Sequence, residues 1–539
     1  MLDMPAPDEI TVLKQALADV LREKDAVLRE KDSLIGEMRV LRTERDLLQE
    51  QLNRFKRQLF AAKSEASGQH QKDMFFDEAE REGAQAEPVG EETEDQTIAV
   101  PAHKRAKRGR KPLDAALPRE VIRHELPESE RVCPQDGAAL REIGVEVSEQ
   151  LDIVPQQVRV IRHERVKYAC PCCDGAMRVA HKPPQVIPKG LLSEAALAWV
   201  ITAKYLDGLP LYRQAALLGR FGGTELSRNT LAASVVRIGR GVQPIVNLLR
   251  DALLDAPIVH GDETEVQVLK EPGRKAQAKS YMWVQMTDGS GTAGSGPPIR
   301  LFAYAPSRST QTARALYAGM RPGGVLMSDG YEPYAGIAEE HRLTHLGCWA
   351  HVRRYFNDAL QACPKDKRGP DQLPARFIAL IGALYRVEGE ARERLLDAQA
   401  LHRHRQERSV AVLGEIEQLL MRHLHGVLPG SLLGKALHYL SSQWPKLKRY
   451  VEDGRYPIDN NACENAIRPF VVGRRNWLFS DTVAGAHASA NLYSLLQTCM
   501  ANRIDGYQYL KALLVGLPRA RTVEDYEALL PWRLALKPG

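Results

Sequence analysis

The chain has 539 residues, 44% of them apolar and 26% charged, close to the soluble globular average, so several domains with buried cores are expected. Lys and Arg number 74 against 68 Asp and Glu; a net charge of +6 does not by itself mark a nucleic-acid binder. No run of roughly 18 uncharged apolar residues occurs, the opening MLDMPAPDEI lacks both parts of a secretion signal, and 8 cysteines are too sparse for a disulfide scaffold. No membrane span is expected, the cytosol is the expected location, and clustered cysteines suggest metal before disulfide.

The first element, residues 8–62, is a predicted coiled coil. Leu13, Val20, Val27, Leu34, Leu41, Leu48 and Phe55 recur every seven residues, and Leu17, Met38, Leu52 and Leu59 fill much of a second apolar position. Lys24 and Lys31 interrupt that second seam. The pattern favours a homo-oligomer over a long helix packed on the chain's own body. Residues 63–118 form an expected disordered linker, acidic over 73–95 and then basic in HKRAKRGRKP. Arg108 and Arg110 there read either as a minor-groove hook or, more simply, as a solvated charge run. Residues 119–186 carry short strand-like runs, VEVSEQLDIV and QVRVIRHERVKYAC, around cysteines.

Residues 187–250 read as helical, with PLYRQAALLGRF, GGTEL and SRNTLAASVVRIGR resembling helix, turn, helix. Ser227 is the expected N-cap of the second helix, and Arg228 opens it. The alternatives are a DNA-reading helix and an ordinary packed pair. Residues 251–358 turn strand-rich: APIVHGDETEVQVL, SYMWVQMTD, PIRLFAYA, GGVLMSDGY and the start of LTHLGCWAH, with STQTARALYAG as an intervening helix. This order suggests a mixed α/β sheet. Residues 359–452 are a predicted helical insertion. Residues 453–482 hold IDNNACENAIRPFVVGRRNW, and 483–539 form a helical tail.

Asp262 follows the apolar run 257–259, and Asp329 follows the run 324–327. Carboxylates at the ends of adjacent strands would repel, and a divalent cation removes that cost. Hard oxygen donors at an open site suit magnesium or manganese, although unrelated turn aspartates have the same local pattern. Glu464 lies in the first turns of a helix capped by Asp459-Asn460-Asn461, with Arg468 four residues on. That pair is either a carboxylate ligand beside a phosphate-binding arginine or a surface ion pair. Arg474 and Arg475 extend the basic surface. Glu263 and Glu265 rank below Asp262 because neighbouring strand residues alternate faces. Cys348 and His351 have a metal-like spacing, but packing with DNA contact by Arg353 and Arg354 is the preferred reading.

Taken together, GRKPL, YACPCC, KYLDGLPLYRQ, GDET, SDGY, GCWAHVRRYF, IDNNACENAIRP and GRRNWLFS resemble the large transposase of the insertion-sequence-sixty-six family over nearly the whole chain. The resemblance implies a multidomain α/β protein with an RNase H-like catalytic core in two parts, 251–358 and 453–482. It implies an Asp-Asp-Glu triad, here Asp262, Asp329 and Glu464, holding two Mg2+ or Mn2+ ions for cleavage of element ends and strand transfer. It also implies a zinc-ribbon-like module over 119–186. There Cys133, Cys170 and Cys173 match, but Asp136 replaces a cysteine, with His163 or Cys172 as substitute zinc ligands. The implied partners are terminal-repeat and target DNA, a second copy of the chain and accessory proteins of the same element, in a bacterial, nucleoid-associated setting. The competing readings are a catalytically idle DNA-binding regulator on the same fold and a nuclease that hydrolyses without joining strands.

Overall fold

The computed structural model describes residues 7–60, 158–164, 167–169, 177–179, 183–222, 226–289, 296–363 and 368–534. Two compact units separate, 1–87 with 164–216 and 226–539, and 88–163 with 217–225. The second is described only at 158–163, exposed chain without regular structure, and at 217–222, the end of a helix. Arg108, Arg110, Cys133, Asp136, Cys170, Cys172, Cys173 and the expected acidic and basic linker lie outside the described residues.

Helix α1 runs unbroken over Pro7–Phe60, 54 residues, or about 80 Å at the rise of an α-helix. Its heptad residues Val20, Val27, Leu34, Leu41 and Leu48 remain 53–63% exposed, so the stripe is not covered by the chain's own body. A short hairpin pairs β1 (Lys167–Ala169) antiparallel with β2 (Met177–Val179), bracketing the Cys170–Cys173 stretch. Of the strand-like run QVRVIRHERVKYAC, Lys167–Ala169 is strand and 158–164 is not. Residues 158–164 have period-2 apolar patterning but do not form a strand, and Val160 is 93% exposed.

Four helices follow: α2 (Glu194–Tyr205), α3 (Leu211–Gly222), α4 (Arg228–Gly241) and α5 (Gln243–Leu254). Ser227 caps α4 as expected, its hydroxyl accepting from the Thr230 N–H at 3.1 Å. The sheet then begins with β3 (Ile258–Lys270), a β-branched run long enough to serve several partners. It pairs antiparallel with β4 (Lys279–Thr287), which pairs antiparallel with β5 (Ile299–Ala305). After α6 (Thr310–Tyr317), β6 (Val325–Met327) returns parallel to the start of β3. After α7 (Pro333–Glu340), β7 (Thr344–Leu346) pairs parallel with β6. The strand order is β5-β4-β3-β6-β7.

Alternation along β4 feeds two cores. Met282 and Val284 face a layer built with Leu197, Leu231, Leu249, Leu495 and Leu513, while Trp283 joins Val259, Tyr317, Leu326, Tyr334 and Ile337 on the other face. Residues on both faces are buried, and the sheet lies between two helical layers. A third core belongs to helices α8 (Trp349–Ala362), α9 (Leu373–Glu393), α10 (Ala398–His423) and α11 (Leu432–Leu447), where Phe356, Phe377, Ile381, Ile416 and Leu440 meet. In that bundle Arg405, 2% exposed, forks onto Glu388 with two 2.8 Å bonds and donates to the Tyr450 and Asp453 carbonyls.

The chain returns to the sheet with α12 (Asn461–Trp477) and β8 (Ser480–Thr482), which pairs parallel with the far end of β3 at Val268 and Lys270. The tail is helical: α13 (Val483–Ala501), α14 (Gly506–Gly516) and α15 (Val523–Glu527). Helix α13 crosses α4 at Gly239, where an added Cβ would sit 2.4 Å from that of Ala488, so only glycine permits this approach.

Candidate active site

Asp262 lies inside β3, opposite Val284 of β4, and not at a strand end as expected. The strand continues because β4 and β8 keep pairing with it; β6 stops at the His260–Met327 register, leaving Asp262 without a ladder neighbour on that side. Asp329 sits two residues past β6, its Oδ1 accepting from the Tyr331 N–H at 2.9 Å. Glu464 enters from the first turn of α12 and is 9% exposed.

The three carboxylates act on one another. Burial, then the charges of Glu464, Asp329 and Glu263, push Asp262 well above the usual carboxylate range. Burial drives Glu464 up to about 7, against the pull of the Arg354 guanidinium and with a further push from Asp459 and Asp329. Burial also raises Asp329, while the Tyr331 N–H and the cations Arg308, Lys446 and Arg354 oppose it.

Asn460 fixes the register between β3 and α12. The residue is 1% exposed; its Nδ2 donates to the Gly261 carbonyl at 2.9 Å and its Oδ1 lies 3.0 Å from His260 Nδ1. That pairing assigns the proton of the neutral imidazole to Nδ1. The backbone N–H of Asn460 reaches Cys348 Sγ at 3.3 Å, tying in the start of α8. Asn460 holds the N-cap position, yet its side chain makes no cap bond, which corrects part of the expected Asp459-Asn460-Asn461 cap. Asp459 instead accepts from the Asn461 N–H at 3.0 Å and from Tyr385 Oη of the bundle at 2.6 Å. Gly261 is required beside Asp262, since an added Cβ would meet Tyr317 Oη at 2.0 Å.

Glu263 faces away from solvent, accepting from Tyr334 Oη at 2.8 Å, with Arg308 3.7 Å away. Burial and Asp329 raise it to about 7. Glu265 is exposed and pairs with Lys279 at 2.7 Å. Glu464 forms an ion pair with Arg354 of α8 at 3.3 Å, a cross-element partner that the spacing within one helix could not reveal. Arg353, Arg468 and Arg474 are half-buried; Arg228 and Arg475 are exposed. Cys348, His351 and Glu464 place one ligand atom each within 4.8 Å of one another. Sequence reading missed the Asn460–His260 pair and the Tyr334–Glu263 bond. Both pairs join residues distant in sequence, and the local pattern reads Asn460 as part of the helix cap.

Residues 189–488, just over half of the chain, match the description "Transposase IS66 family". The chain belongs to the IS66 transposase family. Further matches cover the "zinc-finger binding domain of transposase IS66" at 130–174, "Transposase C of IS166 homeodomain" at 47–122 and the "IS66 C-terminal element" at 494–532. Zinc-finger and leucine-zipper-like regions thus accompany the main transposase region. Two similar curated proteins come from Sinorhizobium fredii (strain NBRC 101917 / NGR234). The uncharacterized protein y4qI is 34% identical over 80% of this chain and 78% of its own length. The uncharacterized protein y4jD is 30% identical over 77% of this chain and 81% of its own. Among the described residues no helix is long and apolar enough to cross a membrane.

Proposed function

We propose that this member of the IS66 family is a DNA transposase of Asp-Asp-Glu type that cleaves insertion-sequence ends and joins them to target DNA. The observation that carries this is the convergence of Asp262, Asp329 and Glu464 from three separate segments, each raised by burial and, for Asp262 and Glu464, by other carboxylates of the cluster. The order β5-β4-β3-β6-β7, antiparallel for its first three strands in chain order and parallel for the next two, supports an RNase H-like core interrupted by the bundle.

The donor set fits divalent cations. Three hard carboxylates whose charges oppose one another gain when Mg2+ or Mn2+ is present. Asp262, Asp329 and Glu464 would hold two such ions, which supply activation of the attacking oxygen and stabilisation of the leaving 3′ oxygen. The chain's own groups then orient the phosphate. Arg308 and Lys446, close enough to act on Asp329, place positive charge where a DNA backbone would approach, and Arg354 bridges that rim to Glu464. Arg228 at the start of α4, with Arg108, Arg110, Arg353, Arg468, Arg474 and Arg475, would contact DNA elsewhere along it. Cys133, Asp136, Cys170 and Cys173 would hold zinc in the separate module. The heptads of α1 would join two copies, matching the need to pair two element ends, with accessory proteins of the element as further partners.

The test is Mg2+-dependent cleavage of the element's own terminal repeats by the full chain, then joining of a pre-cleaved 3′-hydroxyl end. Asp262→Asn, Asp329→Asn and Glu464→Gln should each lower cleavage by at least about 100-fold, the scale for losing one charge-stabilising group. Retained cleavage in all three refutes the triad. DNA binding without cutting would favour the idle regulator, and cutting without joining the nuclease.

A further inference from the structure

The carboxylate of Glu464 is divided between two neighbours. Its Oε2 meets Arg354 at 3.3 Å, while Oε1 faces His351 Nδ1 at 3.5 Å. Both Oε1 and that Nδ1 are buried, and neither makes a hydrogen bond. Buried polar atoms are normally paired, so an unbonded nitrogen and oxygen this close form a pocket that a cation held by both would satisfy. Cys348 completes the group. Cys348 is 2% exposed and its sulfur accepts the Asn460 N–H; burial and the charges of Asp459 and Glu464 push its thiol well up, so a cation would have to displace the thiol proton to bind there. Sulfur, nitrogen and oxygen ligand atoms, all within 4.8 Å of one another, match the three-ligand open sites that zinc takes in proteins and suit magnesium poorly.

We infer that Cys348, His351 and Glu464 form a site for a borderline-soft divalent cation of the zinc type, distinct from the Cys133 module and sharing Glu464 with the carboxylate cluster. Binding would displace the thiol proton of Cys348 and draw Oε1 of Glu464 toward the sulfur side. The metal affinity stands on this geometry alone. Its consequence, that zinc and magnesium compete for one carboxylate, rests on the transposase reading. At zinc ten times its Kd the free fraction of Glu464 falls to about one-eleventh, so Mg2+-dependent cleavage should drop about tenfold.

The full chain, stripped of metal, is titrated with cobalt(II) and followed by its thiolate-to-metal charge-transfer absorption. The expected band persists in Cys170→Ser/Cys173→Ser, disappears in Cys348→Ser, and needs about 10–100-fold more cobalt in His351→Gln and Glu464→Gln, at least the loss seen for outer-shell ligand partners. Cys348 is buried, so melting curves check its variant; His351→Gln, at a half-buried position, decides the matter if Cys348→Ser fails to fold. A band that vanishes with the Cys170/Cys173 pair, or that His351→Gln leaves unmoved, overturns the site. Asp262→Asn should lose cleavage and keep the band. Loss of the transposase reading would therefore leave the cobalt result standing, while loss of this site would leave cleavage intact and insensitive to zinc.

Discussion

Replacing Asn460 with alanine tests how the acidic helix is set against the strand that carries Asp262. The side chain satisfies two groups that stay buried without it, the Nδ1–H of His260 (4% exposed) and the carbonyl of Gly261. Each orphaned group costs about 1–3 kcal/mol, so Asn460→Ala should lose about 2–6 kcal/mol of stability in denaturant unfolding. A second effect separates positioning from mere stability. Glu464 begins one turn beyond Asn460, and a shift of about 1 Å at a reacting centre costs about 100-fold in rate. At a temperature where the variant is fully folded, its cleavage rate at saturating DNA should fall on that scale and its Mg2+ requirement should rise, with DNA affinity nearly unchanged. Cleavage within about threefold of the parent, or a stability loss under about 1 kcal/mol, would refute the role given to Asn460.

Arg405→Ala should cost about 3–5 kcal/mol, because it strands the Glu388 carboxylate inside the helical bundle; unfolding in urea checks it. Burial lowers His345 from 6.5 to about 3, and Ser328 Oγ lies 2.8 Å from its Nε2. The folded chain therefore holds this imidazole neutral while the unfolded chain protonates it, so stability is full above 6.5 and falls toward 3 by about 1.4 kcal/mol per pH unit. His345→Gln should remove one proton's worth of that slope; an unchanged slope would deny it. Deleting residues 1–60 should lower the sedimentation mass by more than the missing peptide, and an unaltered assembly would count against the heptads as the contact between copies.

What could be read from the sequence was what local periodicity encodes. The heptads of α1, the Ser227 cap, the five strands in order and the placement of Glu464 in an early helical turn all depend on neighbours a few residues apart. What could not be read depends on distant contacts. Asn460 reaches His260 across 200 residues, and Arg354 reaches Glu464 across 110. Neither spacing has a signature. Helix α7 also went unread, since PYAGIAEE is too short to show a period, yet its Tyr334 is what holds Glu263. Over 158–164 the local alternation was present, yet alternation alone did not make a strand.

The helix bearing Glu464 is fastened to one and the same strand at both extremities, by the Asn460 amide on Gly261 at its start and by the short β8 ladder on Val268 and Lys270 past its end. A rod riveted at two points has no pivot. With the helix held at both ends, the proposed transposase reading has the backbone beneath Glu464 already in place before any substrate arrives. On that same reading, restraint falls on delivery: how seldom two DNA termini are brought to one pocket.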